Sequence, residues 1–455
     1  MILVCLSLSI LLASLSAGIA NVALPTLLQA FHASFHEVQW VVIAYLLAVT
    51  TLIVSVGRIA DIAGHRRLLL IGISMFTVAS VLCGIAPTLW LLIVARMVQG
   101  LGAAIMMVLA MAFVSETVPK ARIGSVMGVL ATMSAIGTAL GPSLGGLLIF
   151  AFGWRAIFFV TAPLGILLFI FAYKFLPADH KETKTAAAGL DSIGMLLFAI
   201  TLASYALAMT IGHGNFGPIN VALLMAAVLG AVLFVVVEAR VPSPLIKLEI
   251  FRNLVLSGGF IMSVLVLTIM MAIFVIGPFY LSQGLGLDTA HVGIIMTVGP
   301  LAAAVTGIPA GRLTDRFGAR VITIIGLIGI GATSFILSVV AVGIPGYVAA
   351  IAIISSGYAL FQTANNTMVM TDIQPDQRGV ISGLLNLSRN LGLITGASVM
   401  TTVFAFASGT SDKIAARPEA VAYGMQTTFA VATGLMVIAL IIIFVSRKPI
   451  TLIHR

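Results

Sequence analysis

The stretch GRIADIAGHRR, Gly57 to Arg67, returns as GRLTDRFGAR, Gly311 to Arg320, and each copy lies between long apolar runs. Five identities, Gly57/Gly311, Arg58/Arg312, Asp61/Asp315, Gly64/Gly318 and Arg66/Arg320, share one offset of 254 residues, which chance explains poorly. A weaker echo at an offset of 255 matches Gly128, Leu130, Gly137 and Gly141 with Gly383, Leu385, Gly392 and Gly396. The chain reads as a duplication, and an in-phase repeat of apolar helices points to transport.

Only 8% of the 455 residues are charged and the mean hydropathy is +1.21, too little polar cover for a water-soluble fold of this length. The apolar runs are typically about 18 residues or longer, enough to cross a hydrocarbon core as helix, whereas a β-barrel would alternate over ~10-residue segments. Fourteen spans are expected. With that number, every Lys and Arg falls on one side except Arg155, Lys413 and Arg417 on the other and Arg96 and Arg389 inside spans. The positive-inside rule makes the basic side cytoplasmic, with both termini on it, so the lipid bilayer of the cell membrane is the expected partner. The net charge of +9 is then a topology signal; dispersed basic residues with no binding motif do not indicate nucleic acid.

The separation of the repeats exceeds what six helices with short loops need, leaving room for two further spans of ~20 residues. They belong to the hairpin Asp191 to Glu238, entered through ADHKETKTAAAG and left through ARVPSPLIKLEIFRN. The expected fold is an all-α polytopic membrane protein: a six-helix bundle over 1–178, an inserted two-helix hairpin over 186–240 and a second six-helix bundle over 241–455. Equivalent elements start on the same membrane side, so the bundles are parallel repeats with the substrate path between them. Residues 1–20 end in small residues as a signal peptide does, but they lack a charged lead and run on through Asn21 to Pro25, so they read as a first span.

Within GRIADIAGHRR, Gly57 and Gly64 permit close backbone approach. Asp61 can pair with an arginine or face a helix N-terminus, where the dipole favours a carboxylate. Turn-forming loop and conformational latch are both consistent with one copy; two copies at the same helix junction favour the latch. In the fifth span GTALGPSLGG places Gly137, Gly141 and Gly145 on one face for close helix packing. Pro142 removes a backbone hydrogen bond there and is expected to bend the helix.

Arg96 and Arg389 are the informative charges, because an arginine at bilayer depth costs about 2.5–3.5 kcal/mol and must face protein or water. Each belongs to a polar stripe: Arg96 with Gln99, Arg389 with Asn386 and Asn390, and on the preceding span Gln362, Asn365 and Asn366. Glu37, Asp61, Asp191, Glu238, Asp315 and Asp372 lie at span ends and no carboxylate sits deep in a span. The cavity should therefore be electropositive or neutral and favour anionic or neutral amphipathic cargo over cations.

Cys5 and Cys83 lie in separate spans and indicate neither disulfide nor metal. His32, His36 and Glu37 have helical ligand spacing but no further ligand, so no metal site is expected. Trp40, Trp90 and Trp154 lie near span ends, where indole rings anchor at the interface. No nucleophile, metal set or phosphate loop suggests an enzyme.

NVALP at Asn21–Pro25, QWVVIAYLLA at Gln39–Ala48, the paired loops, ARMVQGLGAA at Ala95–Ala104, GPSLGG, GWRAIFF at Gly153–Phe159 and SGLLNLSRNLG at Ser382–Gly392 resemble the major facilitator superfamily. The layout is similar to its drug:proton antiporter branch with fourteen spans. The resemblance implies export of small amphipathic compounds, drugs or toxic metabolites, in exchange for protons by alternating access, with the proton motive force as energy source and no cofactor. It puts Gly57, Asp61, Gly64, Arg66 and Arg67 in a cytoplasmic gate and Gly311, Asp315, Gly318 and Arg320 in its second copy. It also implies that Arg96, with Asp61, belongs to proton coupling. Gly137, Gly141, Pro142, Gly145 and Gly146 are similar to the family's antiporter signature, and Asn21, Gln99, Gln362, Asn365, Asn366 and Arg389 are expected to line the cavity. Many members of the branch carry an aspartate five residues before the asparagine of NVALP; here Ser16 occupies that place, leaving Asp61, Glu37 and Asp191 as candidate proton acceptors. A dedicated exporter of one metabolite or lipid is the narrower alternative, and a non-transporting sensor or assembly partner the remote one. A periplasmic adaptor is left open as a partner.

Overall fold

The computed structural model describes residues 1–33, 35–119, 122–177, 192–210, 217–241, 244–287, 289–340, 342–371, 373–374, 377–408 and 418–446. Asp191 and Asp372 lie outside this set, as do the side chains of Asn21, His36, Arg58, Asp61 and Pro142. The first half comprises α1 (Ile2–Phe31), α2 (Phe35–Ala63), α3 (His65–Ile85), α4 (Leu89–Thr117), α5 (Ile123–Phe152), the short α6 (Ala156–Phe159) and α7 (Thr161–Phe175). Then come α8 (Ser192–Thr210) and α9 (Pro218–Glu238). The second half is α10 (Leu254–Phe279), α11 (Thr289–Phe317), α12 (Ala319–Val339), α13 (Ile344–Met370), α14 (Arg378–Ser408) and α15 (Pro418–Val445).

Eleven helices among the described residues are long and apolar enough to cross a membrane, and shorter apolar helices run over Trp40–Leu52, Ile123–Thr138 and Ile193–Met209. Their outer faces carry exposed Ile, Leu, Val and Phe side chains such as Ile71, Leu147, Val228 and Ile328. In water such a surface would aggregate; facing lipid, it has no desolvation cost.

Packing repeats with the sequence. α1 lies along α5 as α10 lies along α14, α3 along α4 as α12 along α13, and α2 along α4 as α11 along α13. The tight contacts repeat too: a methyl group at Gly102 would strike the carbonyl of Gly72, as one at Gly326 would strike that of Gly357. Small residues at these crossings let backbones approach, the main source of helix association where lipid removes any hydrophobic drive between helices. The hairpin α8–α9 packs on itself and lays α8 against α2 and α14.

The halves meet chiefly along two helix pairs, α5 with α11 and α2 with α14, and also where α13 touches α5 and α14 touches α4. The apolar core shows at which depth. At the end bearing the duplicated loops, one continuous core joins the first half to Leu256, Phe260, Met370, Ile381 and Leu385 of the second. Towards the opposite end each half has a core of its own, around Ile19, Leu27, Val41 and Phe158 in one and around Ile276, Leu281, Tyr347 and Phe404 in the other. There Phe150 on α5 and Phe406 on α14 are 91% and 90% exposed.

Candidate functional site

At the loop end, each duplicated motif turns one helix into the next. Gly64 and Gly318, with φ of 99° and 87°, make the corners α2–α3 and α11–α12; a side chain disfavours that conformation, which is why glycine recurs at the offset. Beyond the corner, Arg66 donates from Nη2 to the Tyr173 carbonyl at 2.5 Å and Arg320 from Nη2 to the Ile443 carbonyl at 3.0 Å. These carbonyls belong to the last turns of α7 and α15, where a cation meets the negative end of the helix. Both arginines thus brace the corner within their own half rather than across the seam. His65 pairs through Nδ1 with Glu116 at 3.2 Å, on the last turn of α4. Arg67 is exposed.

Asp315 does cross the seam. Its Oδ2 accepts from the Ser125 backbone N–H at 2.9 Å and also from Ser125 Oγ, on the first turn of α5. Of the two arrangements open to a loop carboxylate, this is the helix N-terminus. Gly311 lies so close that a Cβ would sit 2.6 Å from the Gly124 carbonyl oxygen. Gly57 makes the equivalent approach to the Gly379 carbonyl on the first turn of α14. Ser382 Oγ, donating to the Val108 carbonyl at 2.7 Å, adds a further bond across the halves at this end.

Arg96 is fully buried within the first half. Nε donates to the Val41 carbonyl at 3.0 Å, and Nη1 to Gln99 Oε1 at 2.6 Å and Ser16 Oγ at 3.1 Å. The guanidinium lies 4.2 Å from the centre of the Tyr45 ring, a cation–π contact. Gln99, equally buried, passes the chain on by donating to Ser80 Oγ at 2.7 Å. Nη2 has no hydrogen-bond partner, and among the described residues no carboxylate pairs with this cation.

Arg389 has a different setting. It is half-buried and lines a mid-depth cavity of about 160 Å³ between α5 of the first half and α10, α11, α13 and α14 of the second. With the Gln362 amide oriented to satisfy both neighbours, its Oε1 accepts from both terminal nitrogens of Arg389 at 2.8 and 3.0 Å, and its Nε2 donates to Tyr358 Oη at 3.3 Å. Ser134, Thr138 and Ser355 supply hydroxyls, and Leu267, Met270, Phe274 and Leu393 an apolar wall.

Of the expected cavity residues, Gln362 and Arg389 line this space, and Gln99, Asn365 and Asn366 do not. Gln99 is sealed beside Arg96. Asn365 donates to the Gly259 carbonyl at 3.1 Å and to Ser263 Oγ at 2.9 Å, so its amide ties α13 to α10. Asn366 is buried. Gly137, Gly141 and Gly145 face α1 in their own half, as Gly392 and Gly396 face α10; a Cβ on Gly146 would point away from any other helix among the described residues. The glycine face of α5 turned to the other half is Gly124 and Gly128, which the sequence reading passed over although Gly128 was part of the repeat. Trp154 is no interface anchor: it is buried against Phe31 and Phe158, whereas Trp90 is exposed. Ser125, Ser134, Thr138 and Tyr358 were also missed, because a hydroxyl in an apolar span ordinarily bonds its own helix.

The sequence profile of the Major Facilitator Superfamily matches residues 6–397. Among curated proteins, the riboflavin transporter RibZ of Clostridioides difficile (strain 630) is 28% identical over 98% of this chain and 97% of its own length. The multidrug resistance protein Stp of Mycobacterium tuberculosis (strain ATCC 25618 / H37Rv) is 31% identical over 89% of this chain and 75% of its own. Among solved structures, the human organic anion transporter MFSD10 superposes with a TM-score of 0.71 at 15% identity, covering 97% of this chain and 98% of the other. The proton:xylose symporter XylE gives 0.69 at 14% identity, over 97% and 94%. At those identities the likeness shows the fold.

Proposed function

Because this chain belongs to the Major Facilitator Superfamily, and is a transporter of small molecules rather than an enzyme, we propose that it exports small amphipathic compounds, drugs or toxic metabolites, in exchange for protons. The reading takes the basic loop end as cytoplasmic, the chain as fourteen spans in the cell membrane and the pathway as alternating access between the halves. The observation that carries it is the one-ended seam: a shared core, the Asp315 contact with α5 and the Gly57 approach to α14 at the loop end, and separate cores at the other. Rocking about the mid-depth cavity would undo the first set and close the second. Asp61 and Asp315 act here as latches that stabilise the cytoplasm-closed form, and Arg96 as part of the coupling apparatus.

The relatives named for multidrug resistance support broad cargo, and the near full-length match to a riboflavin transporter favours a second reading, export of one metabolite. Transport into proteoliposomes under an imposed pH gradient tests both. An acidic lumen should drive accumulation of several unrelated amphipathic dyes, and a protonophore should abolish it. Accumulation that ignores the gradient, or needs an alkaline lumen, removes the antiport assignment; uptake confined to one compound selects the second reading. Asp315→Asn should slow turnover about fivefold, since a carboxylate at a helix N-terminus contributes up to ~1 kcal/mol, with insertion unchanged; wild-type rates would remove the latch role.

A further inference from the structure

We propose that Arg389 anchors the acidic group of an anionic amphipathic cargo, with Gln362 as the residue that positions it. The inference rests on the cavity being the transport site and adds the charge of what it takes. A guanidinium is permanently charged and presents five N–H donors in a fixed fork. The Gln362 oxygen accepts from two terminal nitrogens and brings no negative charge. Among the described residues no carboxylate lines the cavity or pairs with Arg389. A charge kept at this depth without a counter-ion marks a place where one arrives with a ligand.

Arg96, the other arginine at this depth, is closed off from any cargo: fully buried, bonded to its own half and roofed by Tyr45. Arg389 faces open space, with Ser134 and Thr138 across from it and Met270, Phe274 and Leu393 beside it. That arrangement fits a carboxylate or sulfonate carried on a ring or short aliphatic body. A cationic compound would meet like charge and no acid, a repulsive element that sets specificity. Arg389 moves with the second half while Ser134 and Thr138 move with the first, so an anion held on Arg389 keeps its anchor while the opposite wall swings away.

The test uses 1-naphthylacetate, 1-naphthylacetamide and 2-(1-naphthyl)ethylamine, which share a ring system and differ in charge, in equilibrium dialysis against the purified full chain. The carboxylate should bind about tenfold or more tighter than the amide or the amine. Arg389→Gln should remove that preference while leaving the amide within about threefold, and Arg389→Lys should keep part of it, since lysine retains the charge without the fork. Equal binding of the three probes to wild type, no carboxylate binding, or a preference that survives Arg389→Gln would overturn the proposal. Should Arg389→Gln fail to give monodisperse protein, the wild-type series and Arg389→Lys decide. Failure of the transport reading looks different: the carboxylate binds through Arg389, yet no probe crosses proteoliposomes under either gradient. Gradient-driven uptake of the amine with no carboxylate binding gives the converse, a transporter without this anchor.

Discussion

Arg96 and Arg389 both lie at span depth, one in each half, yet Arg96 is sealed among Val41, Ser16, Gln99 and Tyr45 whereas Arg389 looks into a cavity with the Gln362 amide as its hydrogen-bond partner. They are not copies of one another. The offset of 255 that relates α5 to α14 puts Ser134 at the place of Arg389, and the same offset, which pairs Gly102 with Gly357, puts Ile351 at the place of Arg96; Ser134 lines the same cavity as Arg389. A two-fold scaffold therefore encloses a one-sided interior: charge on the wall of the second half, a neutral hydroxyl at the equivalent place on the first. Backbone contacts such as Gly72 with Gly102 and Gly326 with Gly357 had to survive duplication for either bundle to pack. The polar interior was free to diverge.

The contrast can be broken by experiment. Arg96→Ala should have the largest effect, because it leaves Gln99 Oε1 without its donor, removes the extra bond to the Val41 carbonyl and empties the space under Tyr45. We expect about 3 kcal/mol or more of lost stability together with loss of proton-driven transport, read by thermal unfolding in detergent and by vesicle uptake. An Arg96→Ala protein as stable as wild type would show that the sealed arginine does not hold the first half together. Ser16→Asp should act in the opposite sense: Ser16 Oγ lies 3.1 Å from Nη1, so a carboxylate there supplies the missing anion. Stabilisation of about 1–2 kcal/mol is expected, with binding of 1-naphthylacetate unchanged because Arg389 lies elsewhere. Reduced carboxylate binding in that variant would mean the two arginines share one electrostatic site. Tyr45→Phe should matter least: the ring over Arg96 is kept and only the bond from Tyr45 Oη to the Ala13 carbonyl, 3.0 Å, is lost, at a cost below about 1.5 kcal/mol.

The repeat, the helical class and the inserted pair of apolar helices were legible in the sequence because they follow from period, length and hydropathy, which are local quantities. Side-chain destinations were not. Helical spacing puts Gln362 and Asn366 on one stripe and says nothing of which neighbour the stripe meets; in the fold Gln362 opens on the cavity, while the adjacent Asn365 is spent on Gly259 and Ser263 of α10. Position near a span end suggested an interface for Trp154, but α6 folds that ring inward against Phe31 and Phe158. The loop motif named its residues without revealing a division of labour, in which arginines brace within a half and Asp315 reaches across.

The hairpin has a further bearing on this asymmetry. The seam between the bundles has two flanks, one where α5 runs along α11 and one where α2 runs along α14, and α8 lies over the second, with Tyr205 hydrogen-bonded to Thr395 of α14. Among the described elements nothing comparable lies over the first. Acyl chains of the bilayer thus meet the α5–α11 flank directly and the α2–α14 flank only past a cover, which gives a molecule with two-fold ancestry a distinct front and back within the plane of the membrane.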